Sequence, residues 1–210
     1  MFWAKEQSDD DLLRRVVADD EEAFALLYRR WQGPVYRFAR HMSGSAVVAE
    51  DVTQEVFIVL IGQSNRFDPA LGTFCGYLLG IARNQVRRRF ETDRVLVPLP
   101  ETEGFDQDTR NAKGGNGHHP AMMIAPIDFS RTDTITSVRK AVLSLPERYR
   151  EAVVLCDLQE MTYEEAAAIV GCAVGTVRSR LHRGRTLLAA KLRNLRTPQP
   201  KSVARESEKL

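Results

Sequence analysis

The sequence predicts an all-α protein: two small helical domains joined by a flexible linker, the C-terminal one a helix-turn-helix. Three observations predict it. Apolar residues recur at helical spacing through most of the chain. One stretch, Pro98 to about Thr132, shows no period and is rich in glycine and proline. Thr162 to Leu192 carries the cap, turn, apolar stripe and charge of a helix-turn-helix. The expected boundaries are 8–95 for the first domain, 96–133 for the linker, 134–196 for the second domain and 197–210 for a disordered basic tail.

The elements follow in order. Asp9–Val17 reads as a short helix behind Ser8. Asp20–Met42 reads as a longer one, with Phe24, Leu27, Tyr28, Trp31, Val35 and Phe38 near helical spacing. Ser43-Gly44 breaks it. A third helix runs from about Val47 to Gln63, with Val52, Val56, Val59 and Leu60 turned inward. Phe67-Asp68-Pro69 and Gly72 make a loop, and a fourth helix runs from about Thr73 to Arg94. Short connections between four helices imply a compact bundle. Thr134–Leu143 and Pro146–Leu155 start the second domain, the proline suiting a first-turn position. Roughly 35–40 residues of intervening coil span about 35 Å on average and more than about 100 Å drawn out. Two DNA elements about two helical turns apart are then within reach without a fixed interface between the domains.

Thr162 and Glu165 form a T-x-x-E capping box that starts a helix at about Tyr163. Gly171 supplies a turn position where a left-handed backbone costs little. A second helix begins near Ala173, with Val174, Val177, Leu181, Leu188 and Leu192 on one stripe. Ala167 suits a close helix crossing and Val177 a plug beneath it. The opposite side presents Thr176, Ser179 and Arg183, flanked by Arg178 and His182, the side chains suited to a major groove. From Ala166 to Arg205 there is no acidic residue, and a one-signed helix is the footprint of a nucleic-acid-binding element.

Net charge is +2 over 210 residues, but acidic residues gather early and basic ones late. That asymmetry implies one protein partner and one nucleic-acid partner. Cys75, Cys156 and Cys172 are odd in number and far apart, so reduced thiols are expected rather than disulfides or zinc. His118-His119 reads as polar loop, and no metal or cofactor is expected. The N-terminus turns acidic within ten residues and no apolar run reaches about 18, so a cytoplasmic protein without membrane insertion is expected. No carboxylate cluster, phosphate loop or nucleophile–base set points to an enzyme.

Two surfaces of the first domain stay open on spacing alone. Glu50, Asp51, Gln54 and Glu55 form an acidic-amide stripe that reads equally as a solvated face or as a seat for a basic partner. Phe67, Phe74 and Tyr77 beside Arg83, Asn84, Gln85 and Arg87–Arg89 read equally as core plus surface or as a site for unpaired bases and phosphates.

In combination, AEDVTQEVF, RFDP…GTF…IARN, SLPERYREAVVL and TYEEAAAIVGCAVGTVRSRLHRGR resemble a bacterial RNA polymerase sigma factor of the extracytoplasmic-function (ECF) type, from about Asp10 to Leu192. The resemblance implies that Glu50, Asp51, Gln54 and Glu55 dock on the polymerase clamp. It implies that Phe67, Arg83, Asn84 and Arg87 capture the melted −10 promoter element, with Asn84 on a base edge. Thr176, Arg178, Ser179, His182 and Arg183 correspond to the −35 reader. Core RNA polymerase (clamp and flap regions), promoter DNA and an anti-sigma factor are the implied partners. The function so implied is promoter-specific transcription initiation; a free-standing helix-turn-helix regulator is the alternative. Departures from the family pattern are Val48 before AED, Tyr77 in place of a usual Trp, Leu79 and Gly80 where an aromatic and a basic residue are common, and His182 on the reading face.

Overall fold

The computed structural model describes residues 7–63, 66–96 and 131–196. Among them are eight α-helices: α1 (Asp9–Val17), α2 (Glu21–Ser43), α3 (Ala46–Gly62), α4 (Phe74–Leu96), α5 (Arg131–Leu143), α6 (Glu147–Val153), α7 (Tyr163–Val170) and α8 (Val174–Arg196). The expected tail, and all of the expected linker except its ends, lie outside the described residues.

Local chemistry sets the helix ends. Ser8, Asp20 and Ser45 each accept a backbone N–H three residues on, at the starts of α1, α2 and α3. Gly44 closes α2 with φ 77°, a conformation where a Cβ is costly. The capping box at α7 is complete: Thr162 Oγ1 accepts the Glu165 N–H at 3.2 Å and Glu165 accepts the Thr162 N–H at 2.9 Å. Gly171 ends α7 at φ 72°, as expected of the turn. The expected helix Pro146–Leu155 differs in one respect. It is α-helical to Val153 and then widens into a π turn, Val154–Leu158, because the Gln159 N–H reaches back to the Val154 carbonyl.

The helices α1–α4 enclose Leu12, Leu27, Phe38, Leu60, Leu78 and Leu79, all fully buried. Tyr28 lies 4.7 Å, centroid to centroid, from Phe57, and Phe67 meets Phe74 edge-on at 5.3 Å. In the C-terminal group α6 and α8 pack around Leu145, Ala152, Val153 and Leu181, and α7 packs against α8. A Cβ at Gly184 would stand 2.8 Å from Val153 Cγ2, so only glycine permits this α6–α8 approach.

The two groups are not separate bodies. One buried apolar cluster runs from Leu12 through Phe74 and Leu78 to Met161, Ala166 and Val177. α4 packs against α7, and α2 against α5. Arg150 of α6 donates to the Met42 carbonyl at 2.8 Å and to the Leu143 and Leu145 carbonyls at 2.6 and 3.0 Å. The expectation of domains without a fixed interface therefore differs from the structure. The contacts that join them link residues as far as 108 positions apart, where no local pattern registers.

Candidate functional site

Helix α3 presents the first surface. Val52, Val56, Phe57 and Leu60 bury one side against α2 and α4. On the other, Glu50 and Gln54 are exposed. Asp51 and Glu55 are partly exposed and share Arg89 of α4, whose Nη1 lies 3.0 Å from Asp51 Oδ2 and Nη2 2.6 Å from Glu55 Oε1. Desolvation is the largest single influence on Arg89 and disfavours its charge. The hydrogen bonds and charges of Asp51 and Glu55 together outweigh it and raise the pKa. The four stripe residues are thus brought together, two outward and two locked to a cation behind them.

Sequence reasoning missed the apolar part of this face. Val47 and Ile58 are each 66% exposed and Ile61 55%. They continue the Glu50–Gln54 line at helical spacing. A helix apolar on both sides was the available signal, since a solvated face has no reason to carry isoleucines.

The second surface lies between α4 and the loop before it. Asp68 Oδ1 accepts the Ala70 N–H at 2.9 Å and fixes a short 3-10 turn, Pro69–Leu71. Phe67, half-buried, packs on Phe74 and Tyr77 at centroid distances of 5.3 and 5.5 Å. A cavity of about 460 Å³ opens beside them, lined by Phe67, Tyr77, Ile81 and Asn84 on one wall and Glu165, Ala168 and Ile169 on the other. Burial raises the Tyr77 phenol pKa, so its hydroxyl stays neutral. Asn84 is exposed, its amide able to donate and accept together. The basic residues divide. Arg87 is exposed, 3.7 Å from Glu91. Arg83 is paired with Glu151 of α6, their side chains only 14% and 6% exposed. The expected −10 residues therefore stand on one surface, but Arg83 is already engaged.

The third surface is the outer side of α8. Val177 and Leu181 are buried, as the stripe predicts. Arg178, Ser179, His182 and Arg183 are exposed and Thr176 is half-buried. Arg178 lies 5.5 Å from the Tyr163 ring centroid, a cation–π contact that steadies its guanidinium. Ser179 donates to the Thr176 carbonyl at 2.9 Å. Tyr149 was not anticipated. Its phenol pKa is lowered, first by a hydrogen bond from Arg183, which places this tyrosine against a candidate base-reading arginine. Not every cation of the basic run is free of an internal partner. Arg185 grips Asp157 through two bonds, 2.6 and 3.1 Å, which tie α8 to the π turn.

Among the described residues no group of three or more His, Cys, Asp or Glu could hold a metal ion, and no helix is long and apolar enough to cross a membrane. Burial pushes the Cys75 thiol up to about 11, which makes it a poor nucleophile at neutral pH.

Comparisons with known proteins follow the same division. The Sigma-70 region 2 family matches residues 27–94, and the Sigma-70, region 4 family matches residues 135–188. The chain is 38% identical over 170 residues to the ECF RNA polymerase sigma factor SigE of Mycolicibacterium smegmatis, covering 77% of this chain but only 58% of that protein. It is 30% identical over 196 residues to the ECF RNA polymerase sigma-E factor of Escherichia coli strain K12, covering 91% of this chain and 98% of that one. Among solved structures it resembles a sigma factor, RpoE of Bartonella quintana, crystallised with the anti-sigma factor NepR. The TM-score is 0.62 at 25% identity, over 81% of this chain and 96% of that one.

Proposed function

The chain belongs to the ECF RNA polymerase sigma factors, and from that premise we propose that it is an alternative sigma factor, binding core RNA polymerase and directing promoter-specific initiation. It is a specificity subunit rather than an enzyme, and it works in the cytoplasm, where polymerase and promoter are. The 8–95 unit binds polymerase and the −10 element; the 134–196 unit binds the −35 element.

Each surface suits its task. On α3, exposed Glu50 and Gln54 among Val47, Ile58 and Ile61 offer an apolar seat with a charged centre, suited to a basic coiled coil of the clamp. On α4, the cavity beside Phe67 and Tyr77 has room for a planar base, and Asn84 stands at its rim to read an edge. On α8, Thr176, Arg178, Ser179, His182 and Arg183 present donors and acceptors to a major groove, with Tyr149 behind Arg183. An anti-sigma factor, as seen with the Bartonella protein, is the expected regulator.

The observation that carries this reading is the occurrence of both kinds of surface in one chain: a base-sized aromatic–amide cavity beside a protein-docking helix, and a basic helix-turn-helix. A free-standing regulator needs only the last. The test is transcription in vitro from a library of bacterial promoter fragments with core polymerase. Adding the chain should start transcripts at a defined subset of fragments. Transcripts that do not depend on the chain would refute the proposal.

A further inference from the structure

A second cavity, of about 470 Å³, opens where α4, α6 and α8 meet. Its lining is chiefly guanidinium: Arg83 and Arg87 from α4, Arg148 from α6 and Arg180 from α8, with Glu147 and Glu151 as the carboxylates. It shares no lining residue with the aromatic cavity beside Phe67. The carboxylates do not balance the cations. Glu151 is committed to Arg83, both side chains nearly closed to solvent. That leaves Arg87, Arg148 and Arg180 against Glu147. Arg87 has only Glu91, 3.7 Å away and one turn along the same helix, an exposed pair of a kind worth little in water. Arg148 is held by a ring rather than by an acid, its guanidinium carbon 4.9 Å from the Tyr149 centroid. Arg180 is half-buried and, among the described residues, has no hydrogen-bond or ion-pair partner.

We propose that this cavity binds a small oligophosphate anion, either a free inorganic chain or the phosphate tail of a nucleotide, with Arg87, Arg148 and Arg180 as its ligating groups. The fold gathers three guanidiniums from three helices around one concavity and leaves them mutually repelling. An anion of several charges relieves that repulsion. Guanidiniums match phosphate oxygens through paired, charge-assisted hydrogen bonds. A single phosphate engages one or two of them, whereas a chain of phosphates reaches all three. The volume lies within the range of small-molecule pockets, about 300–1,000 Å³. Among the described residues no aromatic side chain lines the cavity. Unpaired bases need such a stacking platform, so the site suits phosphate without base recognition. Tyr149 holds Arg148 in place before any ligand arrives, which lowers the entropy lost on binding. The ligand would touch α4 on one side and α6 and α8 on the other. By linkage it therefore stabilises the contact between the two helical groups. The site is independent of the sigma-factor reading, because it needs only these arginines and their arrangement.

The experiment is isothermal titration calorimetry on the full chain, with sodium tripolyphosphate as the probe. The wild type should show one saturable site, and orthophosphate should bind it about tenfold or more weakly. Arg148→Ala with Arg180→Ala removes two charge-assisted contacts and should weaken tripolyphosphate by about tenfold or more. Lys191→Ala with Arg193→Ala removes the same charge from α8 outside the cavity and should leave binding unchanged. Glu147→Gln deletes a like charge beside the anion and should tighten binding. If the arginine pair does not fold by circular dichroism, Glu147→Gln and the exposed Arg148→Ala carry the test. ATP separates the two sources. Equal affinity for ATP and tripolyphosphate assigns the site to the phosphate chain alone, and tighter ATP binding assigns it to a nucleotide; either upholds the proposal. Absence of saturable binding would overturn it. So would equal losses in the two double variants, which would mean diffuse attraction to a basic helix. Single-stranded DNA that competes with tripolyphosphate, and loses the same affinity in the Arg148 and Arg180 variant, would make the cavity part of a nucleic-acid interface and overturn it as well.

Discussion

Helix α3 and helix α4 lie side by side and carry the same kinds of groups, but the structure uses them in opposite ways. On α3 the carboxylates Asp51 and Glu55 are held from behind by Arg89, and the face they share with Glu50 and Gln54 stays open. On α4 the cation Arg83 is held from the front by Glu151, and its face is covered. One arrangement presents a charge and the other hides one. Charge on a helix therefore says little about availability until the origin of its counter-charge is known.

The largest effect should come from the open side. Changing Glu50 and Gln54 together to lysine puts like charges against a basic partner. Juxtapositions of that kind cost several kcal/mol, so affinity for core polymerase should fall by about 100-fold or more with the helical circular dichroism unchanged. Retained affinity would show that α3 is not the seat. On the covered side, Asn84→Ala should lower promoter opening by a factor equivalent to about 1–3 kcal/mol if the amide reads a base edge, while core binding is untouched. Equal losses on both measures would erase the distinction between the two helices.

Much of this was legible in the sequence, and the reason is range. The capping box at Thr162–Glu165, the turn at Gly171 and the stripe through Val177 and Leu181 depend on neighbours within a few residues, and each stands where spacing places it. The acidic stripe on α3 was legible for the same reason. Its backing by Arg89, 34 residues from Glu55, was not. The Arg83–Glu151 pair spans 68 residues, and nothing in either segment marks it. The exposed Val47, Ile58 and Ile61 were hidden differently: an apolar residue on a helix is read as core by default, and only burial shows otherwise.

Smaller effects sharpen the contrast on the C-terminal side. Arg183→Ala should weaken −35 binding by about 1–3 kcal/mol at its own base position if it pairs with a guanine edge. A loss spread evenly over all sequences would assign it to phosphate instead. Thr162→Ala removes one half of the capping box and should lower stability by about 0.5–2 kcal/mol in urea unfolding. The smallest effect is on acid stability. Glu165 is held below its ordinary value of 4.5, first by the Thr162 backbone N–H. Its contribution is therefore complete above that value and is lost as pH falls through the lowered one. Glu165→Gln should flatten the acid limb of stability against pH below about 4.5; an unchanged limb would place the acid sensitivity elsewhere.

The central claim is that this chain is a polymerase subunit whose docking face is already exposed. Co-elution of the purified chain with bacterial core RNA polymerase, at moderate salt and without DNA, tests it most directly. The account predicts a stoichiometric complex with the wild type, and none when Glu50 and Gln54 are both lysine. A well-folded wild type that elutes apart from the polymerase would contradict it.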